Sequence, residues 1–491
     1  MKLHLISLST FLVFVSVSCS PLQSPLLQQQ RTRARSSLPV QNATTSFWFT
    51  ANPLAKEGSE GPLTREADVC IIGSGITGAS IAYHLAGEAE GPGVQQPLRV
   101  VVLEARDFCS GATGRNGGHL TPYPFKGFKF NQATYGTQEA IKSFLMETRT
   151  TAEMIRVIEE HGMSGTVDLV KGGHITLFEN ELDPKLVETM ADYVAAKAAG
   201  IDLGDVEWLA KENVNETFGA PYPAATWAGN NIWPLKFATQ LFYIATRRNP
   251  SNFTLKLHTH TPVTAVEPLN IGDKRWSLQT PRGSISCRYV VHATNAYAGH
   301  LIPHMNGQAG ILPTRGQVVA VRATRPLSKA WRKSWGGLDM YWFPRPQEDL
   351  VILGGGRMSV EPPYELTTDD STVSPLVGRT LRAFLPRVFE GSFEKGGEVE
   401  MEWTGIMGYT RMTDPFVGPL IDPFDPRSTK YEGQFMSAGY TGHGMPRAFS
   451  CAEAIASMIA SEMKGSRWTI PEWLPERYLT WNRGVDGLSR K

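Results

Sequence analysis

The sequence of 491 residues lacks an excess of charge of either sign and has few cysteines. Its 48 lysines and arginines balance 47 aspartates and glutamates, so it has no basic field that would recruit nucleic acid or anionic lipid. The five cysteines show neither metal-ligand spacing nor a disulfide framework. We therefore expect a small-molecule partner and no metal site, and we expect Cys70 to be a small buried residue of an apolar strand.

The chain also lacks an apolar run that favours a membrane-spanning helix. Residues 1–18 combine Lys2, an apolar stretch and a small-residue cleavage site, which is typical of a secretory signal peptide. An uncleaved anchor and a disordered cytosolic tail are the alternatives. A signal predicts a secreted or vacuolar protein, with glycosylation possible at Asn42, Asn215 and Asn252, and without a signal the protein would be cytoplasmic.

No internal repeat is visible, and the length exceeds what one hydrophobic core needs, so we expect two domains. Residues 19–66 read as a loosely ordered polar leader, in which only Phe47-Trp48-Phe49 is expected to pack on the body. From Asp68 onward strand-like and helical runs alternate, which favours an α/β core with a partly antiparallel second domain. The expected strands include 69–72, 100–103, 289–292 and 351–353, and the expected helices include 76–85, 138–161, 184–199, 237–248 and 447–463.

A dinucleotide-binding fingerprint follows the first expected strand. Residues 73–78 form a G-x-G-x-x-G motif between an apolar strand and a helix, which is the context that the motif requires. Gly73 permits a tight turn, Gly75 lets a pyrophosphate approach the backbone, and Gly78 lets the helix pack on the strand. The second strand ends in Glu104, whose carboxylate suits the ribose hydroxyls of an AMP half. The motif therefore predicts FAD or NAD rather than NADP.

A second glycine-rich loop directly after Glu104 distinguishes a flavin enzyme from a nicotinamide enzyme. A nicotinamide enzyme has no use for such a loop, whereas extended FAD must pass close to backbone along its phosphates and isoalloxazine. In the segment 105–119 the glycines permit that approach, and Thr113, Arg115 and Asn116 can donate hydrogen bonds. The sequence therefore predicts FAD.

These segments resemble the D-amino-acid oxidase/sarcosine oxidase superfamily of FAD-dependent oxidoreductases, and above all its fungal branch. The resemblance extends from about Phe47 to about Gly465, with later landmarks in the expected order at 172–175, 233–235, 290–296, 312–317 and 438–446. It implies an α/β fold in which a Rossmann-like FAD-binding domain is interleaved with an α+β substrate domain built on a mainly antiparallel sheet. The FAD-binding domain would comprise 67–125, 233–312 and 400–465, the substrate domain 126–232 and 313–399, and the C-terminal extension 466–491.

The motifs and the resemblance together imply non-covalent FAD. The cysteine that binds flavin covalently in sarcosine-oxidase relatives aligns with Met407. The glycine-rich segment 439–444 precedes a helix whose N-terminal dipole can stabilise negative charge on reduced flavin. The predicted FAD-binding residues are Gly73, Ser74, Gly75, Ile76, Thr77, Gly78, Glu104, Ala105, Ala112, Thr113, Arg115, Asn116, Gly117, Gly118, Val263, Ala293, Thr294, Gly442, His443, Gly444 and Met445.

The superfamily typically oxidises an amine or amino acid by hydride transfer to flavin N5, and the resulting imine hydrolyses. The resemblance therefore implies oxidation of a C–N bond, with O2 or another acceptor receiving the electrons. Ile352 aligns with an O2-activating lysine of relatives, which leaves oxidase and dehydrogenase both open. The predicted catalytic residues are His119, beside the isoalloxazine, and Tyr341 and Arg345, which like Arg357 could hold a carboxylate.

Two other functions stay open at this stage. One is a secondary-metabolite tailoring enzyme that oxidises a C–OH or C–N bond, and the other is a non-catalytic flavin-binding protein. A flavin disulfide reductase is excluded because no cysteine pair lies near the first helix. An aromatic hydroxylase is disfavoured because the segment 439–444 lacks the Gly-Asp turn of that class.

Overall fold

The computed structural model describes residues 36–90, 97–248, 251–346, 348–361, 365–396, 398–484 and 486–487. The expected signal peptide, residues 1–18, lies outside these ranges. In chain order the helices and strands are β1 (Glu66–Ile72), α1 (Ile76–Glu88), β2 (Leu98–Leu103), β3 (His119–Leu120), α2 (Phe128–Tyr135), α3 (Thr137–Glu160), β4 (His174–Leu177), α4 (Pro184–Ala198), β5 (Glu207–Leu209), α5 (Lys211–Phe218), β6 (Ala224–Trp227), β7 (Asn230–Asn231), α6 (Pro234–Arg247), β8 (Phe253–His258), β9 (Ala265–Ile271), β10 (Lys274–Thr280), β11 (Gly283–His292), α7 (Ala298–Leu301), β12 (Leu312–Arg322), β13 (Ser334–Gly337), β14 (Met340–Pro344), β15 (Leu350–Gly355), α8 (Pro375–Val388), β16 (Met401–Tyr409), β17 (Phe416–Pro419), β18 (Gln434–Ala438) and α9 (Met445–Met463).

The first sheet is the expected Rossmann-like sheet. Its order is β17-β18-β11-β1-β2-β8, and the β9-β10 hairpin continues from β11. Strands β18, β11, β1, β2 and β8 run parallel to one another, while β17 is antiparallel. The central strand β1 is buried along nearly its whole length, which is typical of a parallel strand covered on both faces. Helix α1 packs against α6 and α9 and is apolar on almost every side.

The second sheet is mainly antiparallel, as predicted for the substrate domain. Its order is β16-β12-β15-β14-β13-β4-β6-β5, and only the β13–β4 pair among its described pairings is parallel. Strand β16 pairs with β12 along its length, although the predicted division assigns 400–465 to the FAD-binding domain. The α/β fold with two interleaved units is confirmed, and β16 extends the second sheet.

The leader is not loosely ordered from residue 36 onward, which corrects the sequence-based expectation. Trp48 is fully buried, and its ring contacts those of Trp233 and Phe343. Thr44 donates its amide hydrogen to the carbonyl oxygen of Asp370, a residue that is distant in the sequence. The polar composition of the leader suggested a loose segment, but in the structure its hydroxyl and carbonyl groups have buried hydrogen-bond partners. The expected packing of the aromatic triplet 47–49 and of the C-terminal extension is confirmed, since Tyr478 is also fully buried.

Cys70 is buried in β1, as expected, but it forms a disulfide with Cys287, which the scattered cysteine spacing did not predict. They lie on the adjacent parallel strands β1 and β11, with Cα atoms 6.1 Å apart, and are 217 positions apart in the sequence. No local spacing reveals such a pair, because only the pairing of the two strands brings the sulfurs together. Cys109 and Cys451 are buried free thiols.

Peptide mapping of the unreduced protein tests this pairing. After denaturation with an alkylating agent present, we expect a cross-linked peptide that contains Cys70 and Cys287, because that disulfide is buried and closed in the native state. Cys109 and Cys451 should carry the alkyl label. Recovery of alkylated Cys70 from the unreduced sample would contradict the disulfide.

Candidate active site

The turn from β1 to α1 has the geometry that a dinucleotide requires. Gly73 has φ +107°, and a Cβ there would lie 2.7 Å from the carbonyl oxygen of Ala293 at the end of β11. A Cβ at Gly78 would overlap the carbonyl oxygen of Gly73, so the first turn of α1 lies directly on the loop. Gly75 caps α1 without a side chain, which leaves the N-terminus of this helix accessible to an anion.

Glu104 braces this turn from the end of β2. Its Oε2 accepts hydrogen bonds from the amide and the hydroxyl of Ser74, at 3.0 and 2.7 Å, and its Oε1 accepts one from the amide of Arg106 at 3.0 Å. A carboxylate has about four lone-pair sites, so it retains capacity for a ribose hydroxyl. Val263 follows β8 and belongs to the same apolar cluster as Leu103. The structure thus brings these predicted residues to one edge of the first sheet, with Ala105 next to Glu104.

The second glycine-rich loop meets the N-terminus of α1. Thr113 lies in a short 3-10 helix, Ala112–Arg115, and its hydroxyl accepts a hydrogen bond from the amide of Ile76 at 2.9 Å. The same hydroxyl would lie 3.1 Å from a Cβ at Gly75. Two glycine-rich segments that are far apart in sequence therefore enclose the helix terminus where a pyrophosphate binds.

The residues after β11 fit a cofactor as well. Ala293 donates its amide hydrogen to the carbonyl oxygen of Ile72 at 3.0 Å, which fixes it beside Gly73. The hydroxyl of Thr294 is buried and has no hydrogen-bond partner among the described residues. An orphaned buried hydroxyl, an uncapped helix N-terminus and glycines that leave no room for a Cβ together match the predicted FAD site.

The side chain of Arg115, a predicted FAD-binding residue, is bonded to other parts of the protein. Its Nε donates to the carbonyl oxygen of Ser110 at 2.7 Å, and its Nη1 donates to the carbonyl oxygens of Thr44 and Thr404 at 2.7 and 2.9 Å. The guanidinium therefore holds the loop to the leader and to β16 instead of serving as a free donor. Asn116 likewise turns inward, since its Oδ1 accepts the amide hydrogen of Gly118 at 2.7 Å.

A second group of side chains lies where two loops, 105–119 and 439–444, face the second sheet. The ring of Tyr341 lies so close to Gly117 that a Cβ there would come within 2.4 Å of it. Arg357 donates a hydrogen bond to the hydroxyl of Tyr409. That hydroxyl would lie 3.3 Å from a Cβ at Gly442, in the loop before α9. A guanidinium and two phenols thus lie together between these loops, which suits an anionic group; we call this place the opening.

His119 lies on β3, beside the same opening. Its Nε2 is 3.1 Å from the carbonyl oxygen of Trp335, and its ring meets those of Tyr341 and Phe343 edge to face. Its buried Nδ1 has no partner among the described residues. Burial lowers the pKa of His119 to about 4, so the ring is neutral at neutral pH. The structure places His119 next to Tyr341, another predicted catalytic residue, and its position beside the isoalloxazine stays a prediction.

Arg345, the third predicted catalytic residue, lies apart from His119 and Tyr341 and is held by other parts of the protein. It lies beyond the other end of β14, is 3% exposed and pairs with Asp168. Its guanidinium packs over the rings of Trp48 and Trp233, at 5.3 and 4.8 Å from their centroids. Arg345 therefore stabilises the leader, and Arg357 is the arginine at the opening.

The loop before α9 depends on a residue that sequence reasoning missed. Glu147 on α3 accepts hydrogen bonds from His443 Nε2 at 2.9 Å and Arg447 Nε at 2.7 Å, and His443 stacks on Tyr123. Burial by itself would raise the pKa of Glu147, but His443 and Arg447 hold it at about 2. The feature that could have identified Glu147 is its charge among the residues on the buried face of α3. Gly444 and Met445 begin the helix beside this network.

Buried histidines should make the protein unstable in mild acid. Burial lowers the pKa of His84 to about 3 and that of His119, His292 and His304 to about 4. Unfolding returns each to about 6.5, so the unfolded state binds more protons between these values and stability falls as the pH drops from about 6.5 to about 4. Glu147 adds a loss as the pH falls from 4.5 toward 2. The midpoint of thermal unfolding at constant ionic strength should decrease over this window, and a constant midpoint would contradict it.

A cavity of the described part of the chain lies away from this site. It has a volume of about 960 Å³ and lies in the helical layer, between the later turns of α1, α3 and α6. Its carboxylates are paired, for example Glu90 with Arg248 and Glu160 with Arg156.

Within the described ranges no helix combines the length and the apolarity that crossing a membrane requires.

Known proteins resemble this chain in sequence and in fold. The chain is 24% identical over 408 residues to gamma-glutamylputrescine oxidoreductase of Escherichia coli, covering 81% of this chain and 84% of that one. It is 23% identical over 411 residues to glycine oxidase of Bacillus subtilis, covering 83% and 96%. L-proline dehydrogenase of P. horikoshii has the same fold, with a TM-score of 0.62 at 20% identity over 86% of this chain and 98% of that one. The model of the DAO family, FAD dependent oxidoreductase, matches residues 68–458, so the chain belongs to this family and binds FAD.

Proposed function

We propose that this protein oxidises the C–N bond of an amino acid or of another amine that bears a carboxylate. The observation that carries the proposal is Arg357 bonded to Tyr409, close to Gly442 and opposite Tyr341. Relatives named for glycine and for gamma-glutamylputrescine support an amine substrate. The named substrates of those enzymes contain a carboxylate and an amine, which matches a site that offers a guanidinium.

The residues of the chain would bind, orient and shield the substrate. Bound FAD supplies the hydride acceptor, and the protein has to position the C–H bond next to nitrogen. Arg357 offers a planar pair of donors to a carboxylate, and the rings of Tyr341 and Tyr409 enclose the same space. Neutral His119 can accept or donate one hydrogen bond at the opening without adding a charge. These roles need no general acid–base pair.

A visible spectrum followed by an anaerobic substrate panel tests the function. The purified protein should show flavin bands that pass into the supernatant on acid precipitation, because Met407 replaces the residue that binds flavin covalently in relatives. One amino acid should bleach these bands, while its amide and its decarboxylated amine should react far more slowly. If the protein is yellow but no amine bleaches it, oxidation of a C–OH bond of a secondary metabolite becomes the preferred function. A flavin that no substrate reduces would indicate a non-catalytic role.

We also propose that the electron acceptor is not O2. Ile352, at the position of the O2-activating lysine of relatives, is fully buried in an apolar cluster. It offers no positive charge that would stabilise superoxide. The substrate-reduced enzyme should be reoxidised slowly in air and quickly by an artificial acceptor such as dichlorophenolindophenol. Rapid reoxidation in air would refute this part of the proposal.

The proposal extends to a secretory route and to the fungal branch of the family. Residues 1–18 have the signal pattern, and a buried disulfide is typical of an oxidising compartment. Asn42 and Asn215 begin sequons and are exposed. Mass spectrometry of the mature N-terminus and a mobility shift after endoglycosidase treatment test the route. The fungal assignment rests on the resemblance of the glycine-rich segments.

A further inference from the structure

The N-terminal strap, residues 36–57, holds the cofactor loop, residues 105–118, from outside the dinucleotide-binding fold. Trp48 Nε1 donates to the carbonyl oxygen of Asn116 at 2.6 Å. Phe49 closes the loop on another side, since a Cβ at Gly114 would come within 2.6 Å of its ring. The loop that encloses the N-terminus of α1 is therefore fixed in part by residues that precede the fingerprint.

One buried carboxylate joins the strap to the cofactor loop. Asp370 comes from the segment between β15 and α8 and is fully buried. Its two oxygens accept hydrogen bonds from Arg106 Nη1 at 2.9 and 3.1 Å, and its Oδ2 lies 3.4 Å from Arg115 Nε. Its backbone carbonyl accepts the amide hydrogen of Thr44 at 2.8 Å. Two arginines of the loop thus share one carboxylate of the substrate unit.

Both guanidiniums depend on this carboxylate. Arg106 and Arg115 are no more than 5% exposed, so water cannot replace a lost partner. Burial lowers the pKa of Arg115 to about 10, against the opposing effect of Asp370. Without the charge of Asp370, two buried cations would lie side by side, which is strongly unfavourable. The loop would then have to rearrange, and Thr113 lies on the same loop as both arginines.

We propose that Asp370 and the N-terminal strap form a cofactor clamp, which holds residues 105–118 in the FAD-binding conformation and slows the release of FAD. Asp370 is a positioning residue that acts through Arg106 and Arg115. The proposal rests on the FAD binding of the family and not on the proposed substrate, so either can fail while the other stands.

The release of FAD from the holoenzyme tests the clamp. After dilution of Asp370→Asn, the rise of free-flavin fluorescence should be at least about tenfold faster than in the wild type, because the buried cations lose their counter-ion. Asp414→Asn is the matched control, since Asp414 is buried and makes a paired contact with Arg477 at 2.7 and 3.2 Å. That variant should lower the midpoint of thermal unfolding and leave the release rate unchanged.

Two milder variants keep the test decisive if Asp370→Asn fails to fold. Trp48→Phe removes the donor to Asn116 together with part of a buried ring. Thr44→Val removes the hydroxyl that donates to the carbonyl oxygen of Asp370 at 3.1 Å and accepts hydrogen bonds from Arg115 Nη1 at 3.2 Å and from the amide of Thr404 at 3.0 Å. Each should speed FAD release by about threefold or more, since at least one hydrogen bond of the clamp is lost. An unchanged release rate in these folded variants, or an equal increase in Asp414→Asn, would overturn the clamp.

Discussion

Replacing Arg357 by methionine should lower kcat/KM for a carboxylate-bearing substrate by about 100- to 1,000-fold, because a substrate charge loses its paired donor in a partly enclosed site. Arg357→Lys should recover only part of this loss, since lysine keeps the charge and lacks the planar fork. Tyr409→Phe, which removes the hydroxyl that Arg357 binds, should have a smaller effect in the same direction. Stopped-flow measurement of anaerobic flavin bleaching gives these values directly.

A control variant and a control substrate separate this effect from general damage. Arg382→Met removes an arginine of α8 that pairs with Glu402, and it should leave kcat/KM near the wild-type value. With the amide analogue of the substrate, the wild type and Arg357→Met should react at similar, slow rates. If Arg357→Met oxidises the amino acid as fast as the wild type does, Arg357 does not bind the carboxylate.

Gly78→Ala should weaken FAD binding by about 10- to 100-fold, because the new Cβ overlaps the carbonyl oxygen of Gly73 and forces α1 away from the turn. That carbonyl belongs to backbone, so it cannot swing aside as a flexible side chain would. The change moves the helix N-terminus relative to Thr113, which lies beside the same terminus. Titration of free FAD released from a dilution series of holoenzyme gives the dissociation constant.

The matched control lies in the same helix. A Cβ at Gly87 meets only the side chain of Arg248, at 3.3 Å, which can shift at little cost. Gly87→Ala should therefore leave FAD affinity unchanged and should raise helix stability slightly, by up to about 1 kcal/mol. Equal FAD affinity in Gly78→Ala and the wild type would show that the helix does not need this close approach.

Sequence reasoning succeeded where a function follows from a local run of residues. The order of an apolar strand, a G-x-G-x-x-G turn and a helix sets the position of the dinucleotide turn, and both the strand and the helix are confirmed. The acidic end of β2 and the second glycine-rich loop were found in the sequence because few other residue types could replace a carboxylate beside a ribose or a glycine beside a cofactor. The mainly antiparallel second sheet came from family resemblance and is also confirmed.

The choice between two arginines near each other in sequence could not be made in this way. Arg345 and Arg357 flank β15, and both carry the same charge. The hairpin β14–β15 places one beside the leader and the other beside Tyr409. Since the leader supplies Trp48 to the first of these sites, only the packing of a distant segment distinguishes a structural arginine from one that faces the opening.

The sequence by itself determined the cofactor class, the dinucleotide turn and the alternation of strands and helices, because each depends on residues that are neighbours in the chain. Tertiary structure alone decided the Cys70–Cys287 disulfide, the burial of the leader, and the partnership of Glu147 with His443. The physical reason is the same in all three cases. Each contact joins residues more than 60 positions apart, and its partners carry no mark until strand pairing and helix packing bring them within bonding distance.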